Sequence, residues 1–529
     1  MPTLIVSGCG TAVAANASVY VNAEVEPYLA RSAQNAEHWV AVWQQDRYSD
    51  GAARAIVSAT TLDAGRSWSH TLHPFSLCGG AAAGSVVDYE RASDPWVEIG
   101  SDGTVHVMAL AVSGTAFTGN SRSAMVASRS TDGGRSYSTP QVLGQDSGAL
   151  FFNDKNTLTV DALDPRFVYA VWDRLQANGN GPTVLARSSN AGASWEPVRT
   201  IYQPMAAAGA VTGAVTQTIG NRIVVLPANV NGAGTLVLVF TEIVTAGNTT
   251  TNHIRILRSS DRGTSWGPPI TVGELRAVGV RDPATGTPVR DGAIIPNIAV
   301  APDGTLWVAW QDSRFSNGAR DAIALSRSQD GGLSWSAPVA ANRDLRVPAF
   351  TPTLAVRADG LLGLSYFDLR PDTPDASTFL AAAWLLGTRD GINFGETALW
   401  PLFDMAQAPN ARGLFLGDYQ GLVAVGSDFV PLLALSSTDL NNRTDIYTLR
   451  TTPAAALSIQ WPAQTAQAAQ ATEAAQGLDA SGRSLALQAG AVRARITAHT
   501  RAYMDQRVPG WSERAGRTRQ HAPSCATLT

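Results

Sequence analysis

The chain has 529 residues, of which 45% are hydrophobic and only 16% charged, with a formal net charge of -4 at pH 7. That balance fits a folded protein with a large buried core and gives no electrostatic reason to expect nucleic acid. No apolar run approaches the roughly 18 residues of a membrane span, and the three cysteines and seven histidines fall in no metal-ligand spacing, so no metal or other cofactor is expected.

In chain order, residues 1–16 lack the basic and fully apolar regions of a complete export signal. Val6-Ser7-Gly8-Cys9 resembles a bacterial lipobox, and the segment reads as the remnant of an export or lipoprotein signal. Cys9 and Cys78 are candidates for a disulfide, which sequence alone does not establish. The stretch ASVYVNAEV at Ala17–Val25 is strand-prone.

From there the chain repeats itself. TLDAGRSW at Thr61–Trp68 returns as STDGGRSY at Ser130–Tyr137, SNAGASW at Ser189–Trp195, SDRGTSW at Ser260–Trp266 and SQDGGLSW at Ser328–Trp335, with a decayed copy, TRDGINF, at Thr388–Phe394. The copies lie 58 to 71 residues apart, a period that belongs to one supersecondary unit per repeat. Each copy follows a hairpin, often with an Asp-Gly turn, as in NIAVAPDGTLWVAWQD at Asn297–Asp312, and a third strand such as DAIALSRS at Asp321–Ser328. Four antiparallel strands per unit, with no helical periodicity, predict an all-β fold made of β-propeller blades. The repeated phrase is the turn between the third and fourth strands. Its Asp or Asn accepts backbone hydrogen bonds, its Gly takes a positive φ, and its aromatic ring folds back to bury surface.

A last preamble at Gly417–Asp439, followed by TDIYTLR, has no such phrase after it. Counting it predicts seven blades, with six as the alternative, and the N-terminal strand Ala17–Val25 would complete the last one and leave no open edge. The propeller then spans residues 17–452. Residues 453–529 read as an Ala/Gln-rich linker, an amphipathic helix near Leu485–Arg507 and a basic tail.

The repeated phrase is the Asp-box, or BNR repeat, and from Glu24 to Arg450 the chain resembles the sialidase-like Asp-box propellers. YERASDPW, FFNDK, YAVWDR and LGDYQGL resemble stretches of bacterial secreted proteins labelled exo-alpha-sialidase. The resemblance implies a secreted or cell-surface glycosidase, a glycan or glycoconjugate as substrate, and a monomer. Sialidases have six blades and an Arg-Ile-Pro motif before the first Asp-box, whereas this chain reads VEPYLARSAQ at Val25–Gln34.

Chemistry is expected on the face opposite the Asp-box turns. A sialidase-type reaction requires arginines to hold a carboxylate, a Tyr nucleophile paired with a Glu, and an Asp acid. Candidates are Arg47, Arg91, Arg174 and Arg314 for the clamp, Tyr419 or Tyr89 with Glu90 for the nucleophile pair, and Asp94 for the acid. Asp154, Lys155, Asp312, Arg370 and Asp418 are further substrate-binding candidates. Lys155 is the only lysine among 39 basic residues, which suggests a position that needs a compact ammonium. The motifs WQQDR, WDR, WQDSR and FDLR, which end in Arg47, Arg174, Arg314 and Arg370, have a second reading as Asp–Arg pairs that pin long loops. Two other functions remain open: a propeller that binds glycan or protein without catalysis, and a lyase or hydrolase of acidic polysaccharides.

Overall fold

The computed structural model describes residue 9 and residues 17–205, 214–247, 249–451, 485–507 and 512–513. Val6–Gly8, the Ala/Gln-rich stretch, the basic tail and Cys525 lie outside these residues. The described chain is all-β apart from short 3-10 turns and the helix Leu485–Arg507.

Among the described residues, twenty-seven strands form antiparallel sheets that follow chain order. Residues 151–202, 215–274, 297–340 and 349–404 each make a four-stranded sheet, and residues 421–448 make a three-stranded one. The first two units have the same meander of four strands. They count as one eight-stranded sheet only through the pairing of Ala53 with Ala92. The first strands of successive units, beginning at Val19, Arg91, Phe151, Val215, Asn297, Ala349 and Gly421, pack one against the next, and the last of them lies against the first. Trp39–Tyr48, Leu306–Asp312 and Leu362–Asp368 are buried at every residue, because neighbouring sheets cover both faces.

One expectation is corrected. The N-terminal strand runs Val19–Arg31 and pairs with Trp39–Tyr48 as the first strand of the first unit, so it does not complete the last sheet. It does touch that sheet through side chains, where the Glu24 carboxylate accepts from the Ile446 N–H at 3.0 Å. Tyr28 and Ala30 join the core of the first units, while Leu29 packs with Val425, Val430 and Leu432 of the last sheet, which keeps three strands.

The Asp-box works as a local fastener. In the first copy the Thr61 hydroxyl donates to Asp63 at 2.7 Å and accepts from the Gly65 N–H, while Asp63 also takes the Ser67 N–H and hydroxyl. The Trp68 indole closes the loop on the Gly65 carbonyl. The same bonds recur at Ser259–Trp266 and Ser328–Trp335. Each glycine at the Gly65 position has φ between +70° and +90° or close to it, where a side chain would strain the backbone.

Two features organise the opposite face. The first strands of five units carry a β-bulge, and at each bulge one residue adopts left-handed backbone: Glu26 (φ 54°), Asp94 (51°), Lys155 (46°), Gly220 (73°) and Thr351 (51°). For non-glycine residues that conformation is costly, and such outliers gather at functional sites. The second feature is the C-terminal helix, which lies on loops of this face. Thr497 bonds both backbone groups of Thr250, Thr500 accepts from the Asn252 amide, and Arg501 reaches the Gly247 carbonyl.

Candidate active site at the hub

The bulges at Glu26, Asp94 and Lys155 bring three side chains to one point. Lys155 Nζ lies 3.1 Å from Glu26 Oε1, 3.2 Å from Asp94 Oδ1 and 2.7 Å from Asp418 Oδ2. Asp418 precedes the first strand of the last unit, and its carboxylate also takes Arg290 Nη2 at 3.1 Å. Arg290 and Arg47 both place their guanidinium groups 4.6 Å from the centre of the Phe415 ring. Arg47 donates to Gln44 at 2.6 Å, and Gln44 donates in turn to Glu26 and to Ser93. Three acids and three bases thus meet within one bonded network.

The network is closed from below by aromatic rings. Tyr28 stacks on Trp96 at 3.6 Å between centroids, and Tyr419 packs edge-on to both. Arg222 donates to the Tyr28 hydroxyl at 2.8 Å and lies over Trp96. Above it, the Tyr503 hydroxyl of the C-terminal helix reaches Asp418 Oδ1 at 3.3 Å. Glu26 is 0% exposed and Lys155 3%. Surface cavities of about 310 and 300 Å³ lie beside Arg174 and Arg370, and no residue of the network lines either.

Burial sets the protonation of these groups. It drives the Glu26 carboxyl well above the ordinary carboxylate range, against the pull of Lys155, so Glu26 favours its protonated form. Burial and the neighbouring Arg290 lower Arg47 to about 10, which leaves it a cation at neutral pH. The Tyr419 phenol is raised well above its usual value by burial, then by Glu26, and its hydroxyl donates to the Pro95 carbonyl at 2.9 Å. A buried proton donor beside further carboxyl groups is the arrangement that general acid–base chemistry uses.

Of the residues singled out from sequence, the structure gathers Arg47, Asp94, Lys155, Asp418 and Tyr419 here. Asp154 adjoins the site and accepts the Lys155 N–H at 3.0 Å. The others lie elsewhere. Tyr89 is buried under Arg122, and Glu90 is exposed and accepts from the Gly114 N–H. Arg91 pairs with Asp50 at 2.6 Å over the Tyr48 ring. Arg174 makes a two-pronged pair with Asp146, Arg314 does so with Asp312, and Arg370 is held between Asp368 and Glu396. The loop-pinning geometry therefore appears at Asp312–Arg314 and Asp368–Arg370, whereas Arg174 finds its acid on another strand.

Glu26, Gln44, Phe415 and Tyr503 were absent from the sequence candidates. A signal for Glu26 exists: Glu26-Pro27-Tyr28 stands in the register of Asp94-Pro95-Trp96, each an acid before a proline and an aromatic residue at the start of a first strand.

Comparisons with known proteins agree with the repeat reading. Residues 167–362 match the family described as a BNR repeat-like domain, and a search of curated proteins finds no match. Among solved structures, a Hadza microbial sialidase is 16% identical, with a TM-score of 0.42 and coverage of 68% of this chain and 66% of that one, about two thirds of its length. A leech intramolecular trans-sialidase is 11% identical (TM-score 0.43, 82% and 93% covered). A polysaccharide lyase, an ulvan lyase, is 11% identical (TM-score 0.48, 81% and 94% covered). None of these likenesses carries a residue role to this chain. A BNR repeat-like domain spans residues 167–362, and the chain resembles the Asp-box, BNR-repeat superfamily to which sialidases belong.

Proposed function

We propose that this protein is a secreted, glycan-active enzyme, a glycoside hydrolase of sialidase-like type, built as a closed seven-bladed propeller with its site at the hub. The ring of first strands, with the last against the first, supports closure. The Cys9–Cys78 disulfide supports an oxidising compartment. The observation that carries the activity is the meeting of Glu26, Asp94 and Asp418 on Lys155, with Arg47 and Arg290 beside them.

In this reading Glu26 delivers its proton to the leaving glycosidic oxygen. Asp94 or Asp418 supports the positive charge that grows at the anomeric carbon, and the three cations hold an acidic group of the sugar. One observation favours a second reading, cleavage of acidic polysaccharides. The Tyr419 hydroxyl is bound to a backbone carbonyl rather than to a carboxylate, so the nucleophile pair of a sialidase is not set.

The test is product release from sialylated glycoproteins and acidic polysaccharides, followed by mass spectrometry, with Asp94→Asn as control. Sialic acid that disappears in the control supports the first reading, and unsaturated or uronate-bearing fragments support the second. Absence of product from every substrate, with Lys155 reactive toward solvent reagents, would sink both in favour of a binding propeller.

A further inference from the structure

The helix Leu485–Arg507 is held on the hub face by a docking surface shaped for it. Ile496, Thr497, Thr500, Tyr503 and Met504 are buried along one side of it. Thr500 is 0% exposed against Asn252, and the Met504 sulfur takes the Gln217 amide at 3.3 Å. Three of these five residues carry hydroxyls, so the helix is fixed by specific hydrogen bonds more than by an apolar stripe.

Two loops of different units make room for it with glycine. A Cβ at Gly279 would lie 2.4 Å from the His499 ring, and one at Gly318 would lie 2.6 Å from Val492. Both glycines have left-handed backbone (φ +76° and +73°). Tyr503 then reaches past these loops to the carboxylate that Lys155 also holds.

We infer that the C-terminal helix is an autoinhibitory cap, which occludes the hub cluster when seated and exposes it when displaced. The inhibitory half of this inference rests on the proposed activity at the hub, whereas the occlusion does not. Lys155 makes the two separable. As the only lysine, it gives a single amine-reactive position besides the chain terminus, and its acylation reports access to the hub without reference to any substrate.

The experiment uses the full chain and the double variant Thr497→Arg/Thr500→Arg. These changes lie on the helix alone, and two guanidinium groups have no room beneath it. Arg493→Ala, on the exposed side, is the control. Lys155 acylation at pH 9 is followed by peptide mass spectrometry, with hydrogen exchange to show that the sheets stay folded. The expected result is at least a tenfold rise in Lys155 acylation in the double variant, with the control at the wild-type rate, and a comparable rise in turnover of any substrate found. An unchanged acylation rate in the double variant overturns the cap, even if products are released. A tenfold rise with no product from any substrate leaves the cap standing and removes the enzymatic reading.

Discussion

Lys155 and Asp418 stand 2.7 Å apart, ammonium to carboxylate, in a site where neither side chain is more than 3% exposed. The pair unites a bulge in the third unit with the connection into the last one. Removing the cation leaves Glu26, Asp94 and Asp418 facing one another in a medium that solvates them poorly, the circumstance in which breaking a buried ion pair costs about 3–5 kcal/mol. Lys155→Met is therefore expected to lower stability by about that amount in urea unfolding and to abolish turnover. Arg91→Ala, which removes the partly exposed pair with Asp50, is expected to cost about 0–1 kcal/mol and to leave turnover intact. Equal losses in the two variants would contradict a hub centred on Lys155.

Stability is expected to fall as pH rises from about 5 to 8. Burial lifts Glu24 to about 7 and Asp321 to about 8, both above the values of an unfolded chain. Between the unfolded and folded pKa values the native state binds more protons than the unfolded one, so deprotonation costs the native state stability as pH climbs. Glu24→Gln keeps an acceptor for the Ile446 N–H and should flatten the slope. A melting temperature that rises from pH 5 to pH 8 would refute this account.

The Asp-boxes respond in the opposite sense. Hydrogen bonds hold Asp63 and Asp261 at about 2, and Asp330 is also brought to about 2, by Ser334 and Ser328 against the effect of burial. Their stabilisation is present above pH 4 and is lost as pH falls through about 2. Asp330→Ala removes an acceptor for the Leu333 and Ser334 N–H groups and should cost about 1–2 kcal/mol in denaturant unfolding without altering Lys155 reactivity. A change at Lys155 would show that the fastener and the hub are coupled.

Cys78→Ser should lower stability by about 2–4 kcal/mol, because the disulfide closes a loop with a sequence separation of 69. Unfolding of wild-type protein with and without reductant provides the same comparison. The bond also occupies the Cys9 sulfur that lipid attachment at a lipobox would need, so intact-mass measurement of the exported protein is expected to show no acyl chain on Cys9 while the bond is formed.

The fold was legible wherever the information is local. An Asp-box carries its own bonding partners within eight residues, and Asp63 finds Thr61 and Ser67 whatever the rest of the chain does. The N-terminal strand was misplaced because strand propensity at Ala17–Val25 does not say which edge the strand will join, and its continuation to Arg31 decided that. The hub was half legible. Asp94, Lys155 and Asp418 drew attention as charged residues in individual connections, whereas Glu26 was passed over because its segment lacked a familiar motif. Tyr503 was out of reach, since nothing in residues 485–507 tells which surface the helix will meet.

The first acid of the hub and its last are 392 positions apart, yet they touch: the Asp418 N–H donates to Glu26, and the Glu26 N–H donates to the Leu416 carbonyl. A chain emerging from its amino end makes Glu26 early and must wait a further 392 residues before that residue finds Asp418. Contacts of such long range form late, after their loop closure has been paid for by nearer ones. Units can fold one after another as they are made, but the cluster of Glu26, Asp94 and Asp418 on Lys155 draws on the first, second, third and last of them. A product truncated ahead of Gly417 would keep six of its fasteners and lack the Asp418 carboxylate, so the cluster on Lys155 forms only once the connection into the last sheet has been made.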